Sequence, residues 1–306
     1  MSFKLTVLGS GSALPTSDKY PTAHVLNVHE RFFLIDCGEG TQIQLRKYHI
    51  NISKIRHVFI SHLHGDHFYG LIGLISTRNL LGISSDLHIY AHSDIKTLLD
   101  PQINFLKGDL GFKILFHPLN FKATQIIYSD KKVEVISFPL RHSIPVCGFL
   151  FREKQSLPNL RKDLISQLDI PIRCRQAIKE GSGFTDDKGC FHDHAELTIP
   201  PPSPRSYAFC TDTTPFMPAL EIFRGASLLY HEATFQSDME IWAAKTFHST
   251  AQQAGIIARM AGVKQLLIGH FSNRYESDEG FLTEARREFP ETYQAREGKT
   301  YKIEIK

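Results

Sequence analysis

Paired sulfur, long apolar runs and surplus charge are all scarce in these 306 residues. The five cysteines, Cys37, Cys147, Cys174, Cys190 and Cys210, are odd in number, scattered, and form no CxxC pair. That arithmetic argues against a disulfide framework and fits a reducing compartment. No stretch approaches the ~18 consecutive apolar residues of a membrane span. The opening "MSFKLTVLGSG" enters a strand-like alternation at once, without the basic segment, apolar core and cleavage site of a secretory leader. A cytoplasmic protein with no membrane partner is expected. The net charge of +3 permits a nucleic-acid partner without arguing for one, because clustering matters more than the total. What is present is ordinary for a globular protein, 42% hydrophobic and 22% charged residues, enough to bury a core.

Short apolar runs recur along the chain, several followed by helical patterns: "KLTVLG", "RFFLIDCG", "HVFIS" before "GLIGLISTRNLLG", "LHIYA", "VEVISFPL" and "CGFLF". The pattern breaks after Phe151. Residues 152–205 carry nine basic and eight acidic residues, "EGSG", "DDKG" and the cluster "IPPPSPR", with short helical pieces near Leu160 to Leu168 and Cys174 to Lys179. This reads as an insertion within one large domain spanning 1–306. From Ser206 the strand and helix alternation returns, ending in a predicted helix near Glu279 to Glu288. Alternation of this kind predicts an α/β architecture with helices covering sheet faces.

Candidate chemistry collects at strand ends. "VFISHLHGDH" sets His62, His64, Asp66 and His67 directly after an apolar run, and His142, Asp212 and His270 each follow another run. In α/β proteins the carboxyl edge of a sheet is where sites are built. His62 and His64 can share one metal with His142, Asp66 and His67 a second with His270, and Asp212 has two oxygens with which to bridge both. Imidazole and carboxylate donors without thiolate suit Zn²⁺ first, with Mn²⁺ or Fe possible. The other histidines, His248 apart, read as ordinary core or surface groups, and "CFHDH" at 190–194 as a solvated loop. Asp36 fits two roles, partner to a ligand histidine or turn residue before Gly38. "GSGS" at 9–12 reads as a structural turn.

The cluster "SHLHGDH" resembles the signature of the metallo-β-lactamase superfamily. With "DCGEGTQIQL", "RHSIP", "CTDTTP", "HEATF", "HST" and "IGHFSNRY", the chain is similar to its ribonuclease Z branch, the tRNA 3′-processing endonucleases. HxHxDH alone marks only the superfamily; the HEAT and HST segments in this order point to the branch. The resemblance implies a four-layer αββα sandwich, two zinc ions per subunit held by the seven residues above, a homodimer, and an arm that grips precursor tRNA. It also implies that Asp66 accepts a proton while ligating metal. His248 of "FHSTAQQAG" is then the candidate donor to the leaving oxygen, with Glu232 to hold and charge it. Ser249 and Gln252 stand in capping-box spacing at the start of the following helix.

Two departures from the family pattern stand out. After Pro15 and Thr16, "LPTSDKYPTAH" lacks the arginine many members carry, and residues 169–183, "DIPIRCRQAIKEGSG", lack a Gly-Pro-rich arm tip. Arg173, Arg175 and Lys179 remain as candidate phosphate contacts. The expected activity is removal of the 3′ trailer of precursor tRNA. The alternatives are a superfamily phosphodiesterase or other hydrolase of small substrates, and a non-catalytic metal-containing RNA binder.

Overall fold

A computed structural model describes residues 2–14, 16–105 and 110–304; Pro15 lies outside them. They divide into two compact units, residues 2–152 with 205–304, and residues 153–204.

The larger unit is built on two seven-stranded sheets. In the first, the strand order is Thr300–Lys302, Phe3–Gly9, Ala23–Val28, Arg31–Ile35, Ile55–Phe59, Leu87–Ala91 and Ile114–Pro118. The first four strands pair antiparallel, and from Arg31–Ile35 onward the pairing is parallel. The second runs Thr292–Gln294, Leu266–Gly269, Leu228–Glu232, Ser206–Cys210, Cys147–Glu153, Val133–Pro139 and Gln125–Ser129. Its first four strands are parallel.

Three buried apolar clusters separate the layers. Phe33, Phe59, Phe149, Phe151, Phe209 and Leu267 fill the space between the sheets. Leu71, Leu74 and Ile75 of the helix Gly70–Leu80 pack on the outer face of the first sheet with Leu34, Val58 and Ile89. Ala254, Ile257, Ala258 and Ala261 of the helix Ala251–Ala261 pack with Phe281 on the outer face of the second. The order is therefore helices, sheet, sheet, helices. Strands buried on both faces read as continuous apolar runs, which is why "VFIS" and "LLIG" are so conspicuous.

The helix Ala251–Ala261 is capped by Thr250, whose hydroxyl accepts the Gln253 N–H at 3.2 Å while Gln253 Oε1 accepts the Thr250 N–H at 3.0 Å. The box lies one residue beyond the Ser249 and Gln252 pairing expected from spacing. Ser249 is committed elsewhere, its hydroxyl donating to the Thr213 carbonyl at 2.6 Å. Gly262 ends the helix at φ 60°, a left-handed conformation that costs glycine little.

The smaller unit has its own core of Leu160, Ile170, Ile178 and Leu197. Its helices are Lys162–Gln167, Ile172–Lys179 and His194–Leu197. "CFHDH", expected to be a loop, instead contributes the short strand Phe191–His192, paired with Phe184–Thr185, and the cap and first residue of the last helix. Asp193 supplies that cap by accepting the Ala195 N–H at 2.9 Å, so a cluster of ligand-type residues is spent on local structure.

All five cysteines are free, and no helix among the described residues is long and apolar enough to cross a membrane.

Candidate active site

Parallel strands direct the site. His62 follows Ile55–Phe59 by three residues, Asp212 follows Ser206–Cys210 by two, and His270 directly follows Leu266–Gly269. Asp36, Asp212 and His270 take φ values of 55°, 45° and 63°, a region few non-glycine residues adopt. Three kinked residues at strand ends turn their side chains toward one place, and the surrounding hydrogen bonds hold the strain.

The "DCG" and "HGDH" segments are locked together. The Cys37 N–H donates to the His67 carbonyl at 2.8 Å, and the Gly70 N–H to the Cys37 carbonyl at 2.9 Å. A Cβ on Gly70 would stand 2.0 Å from the Gly38 carbonyl oxygen, so only glycine permits this approach.

All seven expected ligands come together. His62, His64, His142 and Asp212 form one group that could hold a metal, and Asp66, His67 and His270 another, with donor atoms within 4.8 Å inside each group. Asp212 faces both: Oδ2 lies 3.3 Å from His62 Nε2, and Oδ1 lies 3.2 Å from His270 Nε2 and 3.5 Å from His67 Nε2.

The second ring nitrogens decide which atoms are free to ligate. His67 Nδ1 donates to Asp36 Oδ2 at 2.7 Å, His142 Nδ1 to the Phe247 carbonyl at 3.0 Å, and His62 Nδ1 to the Ser61 hydroxyl at 3.0 Å. Ser61 in turn donates to Asp36 at 2.9 Å. His270 Nδ1 donates to the Thr234 hydroxyl at 2.9 Å, which donates to Glu232 Oε2 at 2.5 Å. With Nδ1 protonated, each Nε2 presents a lone pair. Asp36, kinked at the strand end, is also the hydrogen-bond partner of His67, a candidate ligand.

These lone pairs need a cation. Nε2 of His67 and of His270 are buried without a hydrogen-bond partner. His64 Nδ1 lies 3.2 Å from His62 Nε2 and 3.3 Å from His142 Nε2, and a single Nδ1–H can serve only one of the two, so a lone pair is left facing the site. Burial pushes the His62 pKa down to about 3, so a proton is a poor occupant there; at His67 burial opposes charge, but the Asp66, Asp212 and Asp36 carboxylates outweigh it and raise the pKa well above its ordinary value, so positive charge is favoured at that position. Imidazole and carboxylate donors arranged this way fit a divalent metal.

His248 stands beside the cluster. Its Nδ1 donates to Glu232 Oε1 at 2.8 Å, and its ring centroid lies 5.0 Å from that of His142 and 5.6 Å from that of His270. Burial opposes a charge on this ring, but the fully buried Glu232 carboxylate outweighs it and raises the pKa to about 9. His248 also comes within ligand reach of Asp212 and His270, so geometry alone leaves it two roles, donor or ligand.

A cavity of about 560 Å³ opens over these groups, walled by Ser12, Ala13, Ser143, Lys245, Thr246 and Phe247 as well as by the histidines and aspartates. Ser12 ends the "GSGS" turn, and the Ala13 N–H donates to Asp66 Oδ2 at 3.0 Å. The turn read as purely structural therefore reaches the site. In the smaller unit, Arg175 and Lys179 are four residues apart on the helix Ile172–Lys179 and share a face, whereas Arg173, two residues from Arg175, projects from the opposite one.

Comparison with known proteins places this geometry. The chain is 46% identical to a ribonuclease Z of Phocaeicola vulgatus over 99% of its length and 97% of that protein. It is 41% identical to a ribonuclease Z of Porphyromonas gingivalis, covering 97% of each. The chain belongs to the ribonuclease Z family. Among solved structures, human tRNase Z, short form, superposes with a TM-score of 0.72 at 25% identity, covering 99% of this chain and 100% of that one. The metallo-β-lactamase fold protein YhfI of Bacillus subtilis shares the fold, with a TM-score of 0.69 at 17% identity over 99% and 100% of the two chains. A family model described as anti-Pycsar protein Apyc1 matches residues 3–143.

Around the expected ligands, this ribonuclease Z family member also relies on groups that reading the sequence passed over. Ser61 and Thr234 are small hydroxyls adjoining ligand motifs, a signal that was there to be used. The Phe247 carbonyl and the Ala13 amide belong to the backbone, and no residue type announces them.

Proposed function

We propose that this chain is a zinc-dependent endoribonuclease that removes the 3′ trailer of precursor tRNA, leaving a 3′-hydroxyl on the tRNA and a 5′-phosphate on the trailer. Membership of the ribonuclease Z family makes it a hydrolytic tRNA 3′-processing endonuclease. The observation that carries the mechanism is the Glu232–His248 pair set against the seven-residue cluster.

His62, His64 and His142 would hold one zinc ion, Asp66, His67 and His270 a second, with Asp212 between them. Two such ions, when bound, would supply an acidified, oriented water and neutralise charge on a phosphoryl oxygen. Burial opposes charge on Asp66, but His67 and His270 outweigh it and hold its carboxyl below the usual carboxylate range, so it is ionised and free to accept a hydrogen bond from the attacking water. The Asp66 carboxylate accepts one proton of the attacking water as the water oxygen bonds phosphorus. The bond from phosphorus to the 3′-oxygen breaks, and His248 supplies the proton that oxygen needs from Nε2, the nitrogen not tied to Glu232. Glu232 keeps the imidazolium charged and fixed in direction. Arg175 and Lys179, with Arg173 on a separate face, are proposed to grip backbone phosphates, the segment 153–204 acting as an arm. We also propose a homodimer, checked by sedimentation; the free thiols suit a reducing cytoplasm.

The test is cleavage of a trailer-bearing precursor tRNA mapped at nucleotide resolution, with chelator and Asp66→Ala controls. A metal-dependent cut at the 3′ end of the acceptor stem is expected, lost with Asp66→Ala. Hydrolysis of a simple phosphodiester without cleavage of any precursor tRNA would replace this reading with the small-substrate hydrolase.

A further inference from the structure

Trp242 is the only tryptophan in the chain, and it lies on the surface, 39% exposed, in the short helix Glu240–Lys245. Two cations rest on its ring. Lys245 Nζ lies 5.2 Å from the ring centroid, and the Arg274 guanidinium carbon lies 5.8 Å from it. Lys245 and Arg274 are themselves exposed, and neither has an ion-pair partner among the described residues. The group adjoins the cavity over the metal ligands, whose wall includes Lys245, Thr246 and Phe247 before His248.

An exposed indole flanked by two unpaired cations is an uncommon use of a large apolar ring. A tryptophan body would lower its free energy in the core, and cations at the surface ordinarily pair with carboxylates. Single-stranded nucleic acid offers what this group lacks, a flat base for the ring and phosphates for the cations. Such stacking tolerates any sequence because every base has a π face. The neighbouring cavity must admit a strand that is unpaired where it is cut, so an unpaired nucleotide next to the cut lies within the same neighbourhood.

We propose that Trp242, with Lys245 and Arg274, is a stacking subsite for an unpaired nucleotide flanking the scissile phosphate. This rests on the reading that the substrate is RNA. The subsite binds and positions the strand and takes no part in proton transfer. It gives the enzyme a sequence-independent hold on the strand beside the cut.

The test uses the metal-loaded full chain and a precursor tRNA series in which each unpaired nucleotide around the cut is made abasic in turn. Trp242→Ala is expected to lower kcat/KM for the intact precursor about 10- to 100-fold, and Trp242→Phe, which keeps a ring, to stay within about threefold of wild type. Hydrolysis of methyl p-nitrophenyl phosphate, a small diester without a base, should be unchanged in both. One abasic position should cost the wild type the same factor and cost Trp242→Ala nothing more. Because Trp242 is the only tryptophan, its emission should also change on adding the precursor. Normal precursor cleavage by Trp242→Ala, equal loss on both substrates, no abasic position that couples, or an emission that tracks protein concentration instead of RNA would each overturn the subsite. Wild-type enzyme that hydrolyses the small diester but cuts no precursor would instead overturn the RNA reading on which it rests.

Discussion

Four donors converge on the Glu232 carboxylate: the N–H of Thr213 and Nδ1–H of His248 on Oε1, and the N–H and hydroxyl of Thr234 on Oε2. A glutamine there would turn an amide N–H₂ toward donors on one side or the other. Glu232→Gln is therefore expected to lower kcat for precursor tRNA about 100-fold with little change in KM, the usual magnitude for disabling a proton-transfer group. Zinc content, measured in parallel, reports whether the Thr234 link to His270 has also been loosened. His248→Ala separates donor from ligand by leaving group. An RNA 3′-oxygen needs a proton as it departs, whereas p-nitrophenolate does not. If His248 is the donor, the loss on precursor tRNA, about 10² to 10⁴-fold, should far exceed the loss on a p-nitrophenyl diester. Equal losses with reduced zinc content would make His248 a ligand.

The helix Ala251–Ala261 carries His248 to its place through the turn before it, and its start depends on Thr250. Thr250→Ala should cost about 1 kcal/mol of stability in urea unfolding. Gln252→Ala should cost much less than Gln253→Ala, since Gln253 closes the capping box while Gln252 makes only solvent-exposed bonds to the half-buried Glu288 and Ser237. The same comparison explains why counting positions placed the cap one residue early. Ser249-x-x-Gln252 and Thr250-x-x-Gln253 have the same spacing, and the choice fell to Ser249's hydroxyl bond with the Thr213 carbonyl, 36 positions away. Hydroxyls in adjacent positions are chemically alike until the rest of the chain assigns them partners.

Across the whole molecule, the segment 153–204 has its own core, and the larger unit has three. Replacing 153–204 with a short Gly-Ser linker is expected to leave small-diester hydrolysis largely intact while raising KM for precursor tRNA and flattening the salt dependence of binding, because phosphate contacts carry that slope. Equal loss on both substrates would end its assignment as a separate arm. Chelation should lower the melting temperature of the intact chain, since a metal bound at 1,000 times its Kd contributes about 4 kcal/mol. An unchanged melting temperature after verified metal removal would mean that the buried ring nitrogens are satisfied some other way.

The residues that gather in the candidate site were legible from identity and spacing. His62, His64, Asp66 and His67 are dense, His142, Asp212 and His270 each follow an apolar run, and donor chemistry belongs to the side chain itself. The alternation of strands and helices was legible for a similar reason, because burial on a sheet or helix face imposes a period on the residues. Tertiary structure alone settled what depends on groups every residue shares or on partners far along the chain. The Phe247 carbonyl orients His142, the Ala13 amide reaches Asp66, and Thr250 rather than Ser249 caps the helix. "CFHDH" and "SHLHGDH" use similar residue types, yet only the second sits at the carboxyl edge of buried parallel strands. Folding brings distant donors to that edge, and no local pattern records which strands will be neighbours.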